Sequence, residues 1–552
     1  MTNLLHDLVP APLRRAWAAE GHCPDIDLYT LFRSHRIAGP HRTAVIDARG
    51  ATSYAELDDR ARCLAAGLTE AGIRPGDVVG VQLPNSAEAV AADLALAALG
   101  AVALPFPVGR GGREARSLLG RAGARAVIAA TEHRGIAHAQ ELAELAGELP
   151  ALRTVIAAGP GAVPAGCRSL TALLRTANGF TPRRPDPDSA ARILVSSGSE
   201  AEPKMVAYSH NALAGGRGNF LGALLAAGGP PRCLFLTPLA SAFGSSGTAV
   251  TLARHGGTLV LLDRFTPEAA LRAIRAHRPT HVLGVPTMVR MMLERCGPGP
   301  VAAEGLTALV LGGSALDAAT RREARRAFGC PVVNLYGSAD GVNCHTGLAE
   351  ETAPAGGPGV VVGRPDPMVC EIRIAPLHGG TADEAETGEI LARGPMTPLC
   401  YVGAPELNMR YRTADGWVRT GDLGTLDAEG TLRVVGRLKD VVIRGGANIS
   451  PAEVEGELSA HPGVRDVLCV GVPDPLMGER LAACVVPRSG HEITLESLGA
   501  HLDSRGLERR KHPERLLVVT GELPLTPAGK PDRTALRDQL AAAAPAAPAQ
   551  TG

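Results

Sequence analysis

Residues 77–107 read DVVGVQLPNSAEAVAADLALAALGAVALPFP, in which a helical pattern of alanine and leucine lies between two short apolar runs. Because Glu88 and Asp93 interrupt the apolar stretch and Gly100 ends it, a buried helix followed by a strand is favoured over a membrane span. A strand, a helix and a second strand in this order are typical of a βαβ unit with parallel strands. The segment therefore predicts an α/β fold without insertion into a membrane.

The same alternation recurs further along the chain, at a spacing of about 25 residues. Strand-like runs begin at residues 232, 256, 280, 308 and 331 with RCLFLTPL, GGTLVLLD, THVLGVP, ALVLGGS and PVVNLYGS. In one intervening helix, Thr266 is the expected cap and Pro267 the first residue. The runs do not resemble one another, so the period is that of a strand plus a helix rather than of a solenoid repeat. We expect stacked, largely parallel sheets flanked by helices.

The elements become shorter around residue 436, where strand-like runs alternate with a helix that Ser450 and Glu453 would open as a capping box. The last twelve residues, AAAAPAAPAQTG, have no apolar period. The predicted organisation is a large N-terminal domain over residues 1–436, a small α/β C-terminal domain over residues 437–540, and a disordered tail over residues 541–552.

The composition argues against several classes of partner. With 56 Lys+Arg and 56 Asp+Glu, the chain of 552 residues has no formal net charge, so nothing indicates binding to nucleic acid or to an anionic membrane. The 11 cysteines include no CxxC pair, in a chain too long to need disulfides, and no signal-peptide pattern opens the sequence. We expect a cytoplasmic protein that binds a small molecule.

Lysine is scarce among the 56 basic residues. The few lysines that remain are therefore candidates for positions where a planar guanidinium cannot replace a compact ammonium. The lysines are Lys204, Lys439, Lys511 and Lys530. Lys204 ends VSSGSEAEPK (195–204), a turn after a strand whose N–H groups, hydroxyls and ammonium would suit phosphate oxygens. No GK[ST] follows the glycine, so this is not a Walker motif, and taken alone the segment favours a plain surface loop over a phosphate site.

Eight further segments accompany this one along nearly the whole chain. In order, the nine segments are SSGSEAEPK (196–204), LGGSAL (311–316), NLYGSAD (334–340), GRP (363–365), GEILARGP (388–395), TGDLG (420–424), GRLKDVVIRGGANISPAEVE (436–455), GVPDPLMGE (471–479) and LPLTPAGKPDR (523–533). Each alone could be a turn or a strand end. Together they resemble the superfamily of adenylate-forming (ANL) enzymes, which includes acyl- and aryl-CoA ligases, peptide-synthetase adenylation domains and luciferases.

The resemblance implies two half-reactions. A carboxylate attacks the α-phosphorus of ATP to give acyl-AMP and pyrophosphate, and a thiol then displaces AMP. It also implies ATP or acyl-AMP, Mg²⁺ and coenzyme A as cofactors, a carboxylic acid as substrate, and a C-terminal domain that rotates between the two steps.

The resemblance assigns a nucleotide site in which Asn334 and Tyr336 hold adenine, while Asp422 and Arg437 bind the ribose. Asp340 matches the magnesium carboxylate. The nucleotide-binding residues implied are Ser196, Ser197, Gly198, Ser199, Lys204, Gly313, Ser314, Ala315, Asn334, Tyr336, Gly337, Asp422 and Arg437.

Three residues match catalytic positions of the family. Lys530 matches the adenylation lysine, which reaches the substrate carboxylate and the phosphate as charge develops. Lys439 matches the hinge between the domains. Gly446 matches the glycine past which the thiol arm of CoA is threaded, where a side chain would block the backbone. The alternative for Lys530 and Lys439 is a solvated surface lysine, and the alternative for Gly446 is a glycine required by a turn. Lys511 is expected to be an exposed charge.

Two phosphate-binding motifs depart from the family pattern. The loop Thr-Ser-Gly-Thr-Thr-Gly has Glu200 and Ala201 at its last two positions, so a hydroxyl donor has become a carboxylate. The motif Tyr-Gly-x-Thr-Glu ends in Ala339 and Asp340, which removes a hydroxyl and shortens the metal carboxylate. At about 5 Å from a phosphate charge, Glu200 would cost roughly 3 kcal/mol at an effective dielectric of about 20. We therefore predict weak adenylation from ATP and efficient use of acyl-AMP supplied by a separate adenylating enzyme.

The acyl pocket is expected to be lined by PLASAFGSSGT (238–248), GVPTMVRMM (284–292) and the segment after Asp340. The first segment has no aspartate to pair an α-ammonium, and its small residues leave room for a bulky acyl group, although small residues also permit tight helix packing. We predict that the substrate is a bulky carboxylic acid without an amino group, used in specialised, natural-product biosynthesis. The predicted acyl-binding residues are Ser241, Phe243, Gly244, Gly313 and Gly341.

Three activities remain open. An acyl-CoA ligase is favoured over an acyl-AMP ligase that loads a carrier protein, although pantetheine acceptors of both kinds enter by one route. A catalytically inactive sensor of AMP or acyl-AMP is disfavoured by Lys530, Asp422 and Gly446. His345 beside Cys344 lacks further ligands at zinc spacing, so a pocket-lining or satisfied pair is favoured over a metal or catalytic pair.

Overall fold

The chain forms two compact units. The first consists of Met1–Glu351, Gly363–Ile372 and Leu391–Thr420, and the second of Thr352–Val362, Arg373–Ile390 and Gly421–Gly552. The boundary predicted at residue 436 separates the N-terminal domain from a C-terminal domain that is expected to rotate. The two compact units do not test that rotation, so this boundary stays a prediction. This computed structural model describes residues 4–175, 180–196, 203–225, 229–296, 299–301, 303–349, 359–377, 387–444, 447–525 and 531–543.

Sheet I of the first unit is built around the βαβ segment of residues 77–107. Strands Val78–Gln82 and Val102–Pro105 pair in parallel with Val79 opposite Ala103, as predicted. The pairs at the Cys400–Tyr401 edge are antiparallel. Across sheet I the strand order is Cys400–Tyr401, Met205–Ser209, Ala190–Val195, Val102–Pro105, Val78–Gln82, Ala126–Ala130, Thr154–Ala158 and Cys167–Ser169.

Sheet II of the first unit contains the later strand-like runs. Its central strands are parallel, and its two edge pairs are antiparallel. Across sheet II the strand order is Asn343–His345, Val332–Gly337, Ala308–Gly312, His281–Gly284, Arg232–Phe235, Thr258–Leu261, Thr43–Asp47 and Gly50–Ser53. The predicted fold class, a large domain of largely parallel sheets with flanking helices, is confirmed.

The helix Ala87–Leu99 shows why this sequence forms a core element. Ser86 accepts the N–H of Ala89 at 3.3 Å as its N-cap, and Gly100 ends it with φ +72°, a left-handed conformation that favours glycine. Its alanine and leucine side chains are buried on nearly all sides, and it packs on helix Tyr54–Glu70. Small side chains allow that close approach between helices.

The remaining helices of the first unit cover the two sheets. Thr266 accepts the N–H of Ala269 at 3.1 Å and Pro267 begins the next helix, as predicted. In the part of the chain that is described, no helix combines the length and hydropathy needed to cross a membrane. The other helices are Ala11–Ala19, Leu28–Ala38, Gly112–Arg121, His138–Ala146, Leu170–Arg175, His210–Ala214, Gly216–Gly222, Pro267–His277, Pro286–Cys296, Ala318–Phe328 and Pro405–Tyr411, with 3-10 and π turns at Gly244–Ser246 and Gly247–Arg254.

The second unit contains one smaller sheet and most of the residues of another. One has the strand order Val360–Gly363, Leu432–Arg437, Val418–Leu426, Gly388–Arg393 and Glu371–Ala375. The other consists of Ala447–Ile449, Val442–Arg444, Gly478–Pro487 and Val464–Asp474, with Arg515–Val518 also paired to Gly478–Pro487. The helices are Pro451–Leu458, Leu495–Ser504 and Arg533–Ala543, with 3-10 turns at Leu438–Asp440 and Arg509–Lys511.

Three sequence-based expectations for this unit need correction. Ser450 caps its helix by accepting the N–H of Glu453 at 3.4 Å, but the Glu453 carboxylate does not complete the capping box. It binds the Lys511 ammonium at 2.7 and 3.0 Å, so Lys511 is ion-paired rather than a free exposed charge. The predicted tail is wrong for residues 541–543, which belong to helix Arg533–Ala543, and residues 544–552 lie outside the described residues.

Candidate active site

The predicted adenine-side residues lie where the parallel strands of sheet II end. Strands Arg232–Phe235, His281–Gly284, Ala308–Gly312 and Val332–Gly337 run in one direction, so their carboxyl ends meet at one edge. In open α/β sheets, ligands bind in the crevice outside that edge. The predicted residues at this edge are Gly313, Ser314, Ala315, Asn334, Tyr336, Gly337 and Asp340.

The backbone fixes two of these residues. Gly313 has φ +86°, a left-handed conformation that favours glycine, so the turn after strand Ala308–Gly312 has a defined shape. Asn334 is buried, and its backbone N–H donates to Thr346 Oγ1 at 3.0 Å. Thr346 N–H in turn donates to the Asn334 carbonyl at 3.1 Å. Both residues therefore hold set positions at the crevice.

The two ends of the predicted phosphate loop are held together. Ser196 Oγ accepts the N–H of Lys204 at 3.0 Å, and Ser196 N–H donates to the Lys204 carbonyl at 2.9 Å. Arg110 donates to the Ser196 carbonyl at 3.3 Å, and Arg121 donates to the Pro203 carbonyl at 3.1 Å. Neither arginine was predicted from the sequence. The residues between, Ser197, Gly198, Ser199, Glu200 and Ala201, lie outside the described residues.

Lys204 belongs to a cluster with Asp340, Tyr401 and Tyr411, which we call the Lys204 cluster. Its Nζ lies 3.7 Å from Asp340 Oδ1 and 4.0 Å from the centroid of the Tyr411 ring. The Tyr401 hydroxyl donates to the same Asp340 oxygen at 2.8 Å. Burial raises the pKa of Tyr401 far above its usual range, so this phenol remains a donor at any physiological pH.

Residues 400–411 position both tyrosines of the Lys204 cluster. Strand Cys400–Tyr401 pairs with the strand that follows Lys204, with Tyr401 opposite Val206. The side chain of Asn408 accepts the N–H of Tyr401 at 2.8 Å and donates to its carbonyl at 3.0 Å. Asn408 lies on helix Pro405–Tyr411, which ends at the second tyrosine. One amide side chain therefore links the tyrosine that binds Asp340 to the one that contacts Lys204.

Sequence reasoning missed these tyrosines, although composition carried a signal. The chain has only 6 tyrosines, and aromatic residues make up 3% of it. Tyr336 and Tyr208 lie in the same region as the Lys204 cluster, and the Tyr208 hydroxyl donates to the Ala339 carbonyl at 2.8 Å. Burial also raises the pKa of Tyr208. In a chain so poor in aromatic residues, the tyrosines near motif segments were candidates for the site.

The predicted acyl-binding glycines occupy positions that exclude a side chain. A Cβ on Gly244 would lie 1.9 Å from the Pro238 carbonyl oxygen, and a Cβ on Gly341, where φ is +105°, would lie 2.4 Å from Pro398 Cδ. Ser241 Oγ donates to the Pro238 carbonyl at 2.7 Å and accepts the N–H of Gly244 at 3.0 Å. Ser241 thus shapes the turn, and the half-buried Phe243 packs against the main core.

Buried polar side chains hold residues 237–248 in place. Asn85 Oδ1 accepts the N–H of Leu239 at 2.8 Å, and Arg192 donates to the Leu239 carbonyl at 2.8 Å. The guanidinium of Arg192 is paired with Asp93 at 2.5 Å. A segment held this firmly presents a preorganised wall to any acyl group.

Asp340 offers one carboxylate for a metal. Among the described residues, no three or more histidine, cysteine, aspartate or glutamate side chains are grouped so as to hold an ion. That arrangement fits Mg²⁺, which is commonly bound through one or two carboxylates together with substrate phosphates. Asp340 Oδ1 is used by Tyr401 and Lys204, and such an ion would neutralise phosphate charge beside the remaining oxygen.

The second unit holds the predicted ribose ligands together. Asp422 and Arg437 are opposite one another on antiparallel strands, with 3.2 Å between Oδ1 and Nε. Lys439 is exposed in the 3-10 turn Leu438–Asp440. Gly446 and Lys530 lie outside the described residues.

A partly buried ion pair holds Arg533, three residues after Lys530 in the sequence. Arg533 binds both oxygens of Glu455, at 2.6 and 3.0 Å, and Glu455 Oε1 also accepts the N–H of Cys469 at 2.6 Å. Sequence reasoning missed this pair, because both residues lay inside motif segments that were assigned other roles.

Cys344 and His345 form no metal site in the described part of the chain. His345 Nδ1 accepts the N–H of Gly347 at 3.1 Å, and its ring contacts Phe220 edge-on. Burial lowers the pKa of His345, which favours the neutral ring. The contacts of His345 fit a side chain held within the fold, and the choice between a pocket-lining and a satisfied pair stays a prediction.

Comparison with known proteins finds similarity over nearly the whole chain. A family profile described as AMP-binding enzyme matches residues 33–402, and one described as AMP-binding enzyme C-terminal domain matches residues 453–530. A salicyl-AMP ligase / salicyl-S-ArCP synthetase of Mycobacterium tuberculosis is 34% identical, covering 97% of this chain and 95% of its own length. A 2-hydroxy-7-methoxy-5-methyl-1-naphthoate–CoA ligase of Streptomyces carzinostaticus is 33% identical over 96% of each. The solved structure of ATP-bound MatB from Rhodopseudomonas palustris is 27% identical with a TM-score of 0.80, covering 93% of this chain and 99% of that one.

Proposed function

We propose that this chain, which belongs to the AMP-binding family of adenylate-forming (ANL) enzymes, forms the CoA thioester of a bulky carboxylic acid without an amino group. Enzymes of this family are ligases that act through an acyl-AMP. In the first half-reaction, a carboxylate oxygen bonds to the α-phosphorus of ATP and pyrophosphate leaves. In the second, the CoA sulfur bonds to the acyl carbon, the bond from that carbon to the AMP oxygen breaks, and the thiol proton passes to solvent. The second half-reaction is proposed to dominate, with acyl-AMP supplied by a separate adenylating enzyme.

The observation that carries this proposal is the ion pair inside the Lys204 cluster. Lys204 Nζ lies 3.7 Å from Asp340 Oδ1, and Tyr401 donates to the same oxygen at 2.8 Å. A polyphosphate bound here has to compete with Asp340 for the lysine, and a Mg²⁺ has to compete with the lysine for Asp340. Glu200 adds a further negative charge to the loop. Each feature weakens the grip on the β- and γ-phosphates, which thioester formation does not use.

The proposed substrate class is a bulky aromatic or cyclic carboxylic acid of natural-product biosynthesis. No aspartate lies between Pro238 and Thr248 to pair an α-ammonium, and the wall there is built from small residues. Two relatives are named for aromatic acids, salicylate and a substituted naphthoate. These observations support the proposal for this chain.

The thiol acceptor is tested with Gly446→Trp and synthetic acyl-AMP. The bulky side chain should abolish thioester formation with CoA and leave the affinity for acyl-AMP, measured by calorimetry, within about threefold. Gly445→Trp, one residue earlier, is the matched control and should retain more activity. Thioester formation at the wild-type rate in Gly446→Trp would contradict the assignment of the thiol route.

Loading of a carrier protein is the second candidate, because the mycobacterial relative is named as a salicyl-S-ArCP synthetase. Wild-type protein is given acyl-AMP with either CoA or a pantetheinylated aryl carrier protein. The proposal predicts a faster reaction with CoA. A reaction with the carrier protein alone would favour the second candidate, and no reaction with either acceptor would favour an AMP or acyl-AMP sensor.

A further inference from the structure

The buried guanidinium of Arg217 has no carboxylate partner among the residues that the structure describes. It lies on helix Gly216–Gly222 with 6% of its surface exposed. Its Nη1 donates to the Ala242 carbonyl at 3.0 Å and to Ser245 Oγ at 3.2 Å. Its Nε is buried without a hydrogen-bond partner, and among the described residues no carboxylate oxygen lies within ion-pair distance of the group.

The contrast with Arg192 shows how unusual this is within the same unit. Arg192 is buried to a similar extent, but Asp93 neutralises it at 2.5 Å. Arg217 has two neutral acceptors and the face of the Tyr208 ring, whose centroid lies 4.9 Å from the guanidinium carbon. A buried charge without an opposite charge is costly, since neutral contacts replace only part of its hydration. An anion from outside the chain would complete this environment.

The location of Arg217 points to the acyl group as the source of that anion. Ala242 and Ser245, which it contacts, flank the predicted acyl-binding residues Phe243 and Gly244. Its other neighbour, Tyr208, donates to the Ala339 carbonyl, which precedes Asp340 and the acyl-binding Gly341. Arg217 therefore lies between the two segments that are expected to enclose the acyl group.

We propose that Arg217 is a specificity-determining residue that binds an acceptor oxygen on the acyl group, at a position remote from the reacting carboxylate. The substrate class is then an aromatic or cyclic acid with a second oxygen function that can carry negative charge, such as a phenolate or a second carboxylate. One guanidinium nitrogen, the buried Nε, makes no hydrogen bond among the described residues. A planar guanidinium with a free N–H group suits such an oxygen. This inference rests on the proposed function, because it takes the site to hold an acyl-AMP.

The test measures the binding preference of the full-length protein for non-hydrolysable acyl-sulfamoyl adenosines. The probes carry benzoyl, 3-hydroxybenzoyl, 4-hydroxybenzoyl, 3-carboxybenzoyl and 4-carboxybenzoyl groups, and affinities are measured by calorimetry. Wild-type protein should bind at least one oxygenated probe 10-fold or more tightly than the benzoyl probe. Arg217→Met should reduce that ratio to about twofold or less, whereas Arg217→Lys, which keeps the charge, should retain an intermediate ratio.

Two results would overturn the proposal. One is a wild-type protein that binds all five probes equally, which needs no variant and so does not depend on whether Arg217→Met folds. The other is a variant that weakens every probe by the same factor, since that is the behaviour of a structural brace. Failure of the proposed function is distinguishable, because a protein that makes no thioester from any acyl-AMP could still show the binding preference.

Discussion

Tyr411→Leu should slow the ATP-dependent half-reaction and leave the thioester half-reaction unchanged. The Tyr411 ring supports the Lys204 ammonium, with 4.0 Å between Nζ and the ring centroid, in a site where the lysine is mostly buried. Leucine fills part of the space but has no negative ring face. Lys204 should then hold more tightly to Asp340 or move freely, and in both cases it meets the polyphosphate less often in the productive position.

The magnitude follows from the geometry. A cation–π contact contributes about 0.5 kcal/mol when exposed and about 2 kcal/mol when desolvated. At about 1.4 kcal/mol per tenfold change, its loss should lower kcat/KM for ATP by about 2- to 30-fold. The Lys204 side chain is 14% exposed, so we expect the upper half of that range.

The assay is ATP–pyrophosphate exchange, run beside thioester formation from synthetic acyl-AMP and CoA. Tyr411→Phe is the matched control, since it keeps the ring and removes only the hydroxyl, and it should exchange at close to the wild-type rate. Equal losses in both half-reactions, or Phe and Leu variants that behave alike, would refute the role assigned to the ring.

Three further predictions follow from other contacts. Reverting Glu200→Thr, Ala201→Gly and Ala339→Thr together should raise pyrophosphate exchange at least 10-fold; an unchanged rate would show that these departures do not limit adenylation. Glu455→Gln breaks the partly buried, doubly hydrogen-bonded pair with Arg533 and should cost about 2–3 kcal/mol in the unfolding of the second unit, whereas Glu457→Gln, whose partner Arg505 is half-exposed, should cost under about 1 kcal/mol; equal losses in denaturant titrations would count against this. Burial lowers the pKa of His210 to about 4, below an unfolded value near 6.5, so this group imposes no penalty on folding above pH 6.5 and lowers the free energy of unfolding by up to about 3 kcal/mol as the pH falls from 6.5 towards 4 and the unfolded state takes up the proton; between pH 7 and pH 5 the free energy of unfolding from urea titrations should fall less for His210→Gln than for the wild type, and equal falls would contradict this.

The sequence allowed the fold to be predicted wherever the signal was local. The run from Asp77 to Pro107 contains its own strands, cap and helix stop, and Thr266 with Pro267 marks a helix start without reference to the rest of the chain. The capping box at Ser450 was only half right, because Glu453 binds Lys511, a residue 58 positions away. A local rule cannot register a competing partner at that separation.

The candidate site, like the fold, could be predicted from the sequence only in part. Motif residues such as Gly313 and Asn334 were assigned because their segments resemble those of the adenylate-forming superfamily, and both lie near the edge where the carboxyl ends of the parallel strands meet. Tyr401, Tyr411 and Arg217 were missed, because each acts through contacts with residues far away in the sequence. Their roles depend on the pairing of Tyr401 with Val206 and on the packing of residues 241–245, which only the assembled fold determines.

This chain is expected to form a CoA thioester from supplied acyl-AMP more efficiently than it forms acyl-AMP from an acid and ATP. The most direct measurement compares kcat/KM for CoA-thioester formation from an acid plus Mg²⁺ and ATP with the value from the synthetic acyl-AMP of the same acid. The account predicts that acyl-AMP is used at least about 10³-fold more efficiently, given two lost hydroxyl contacts at about 1–2 kcal/mol each and the added carboxylate repulsion. Equal efficiencies would contradict it and would identify an ordinary two-step ligase.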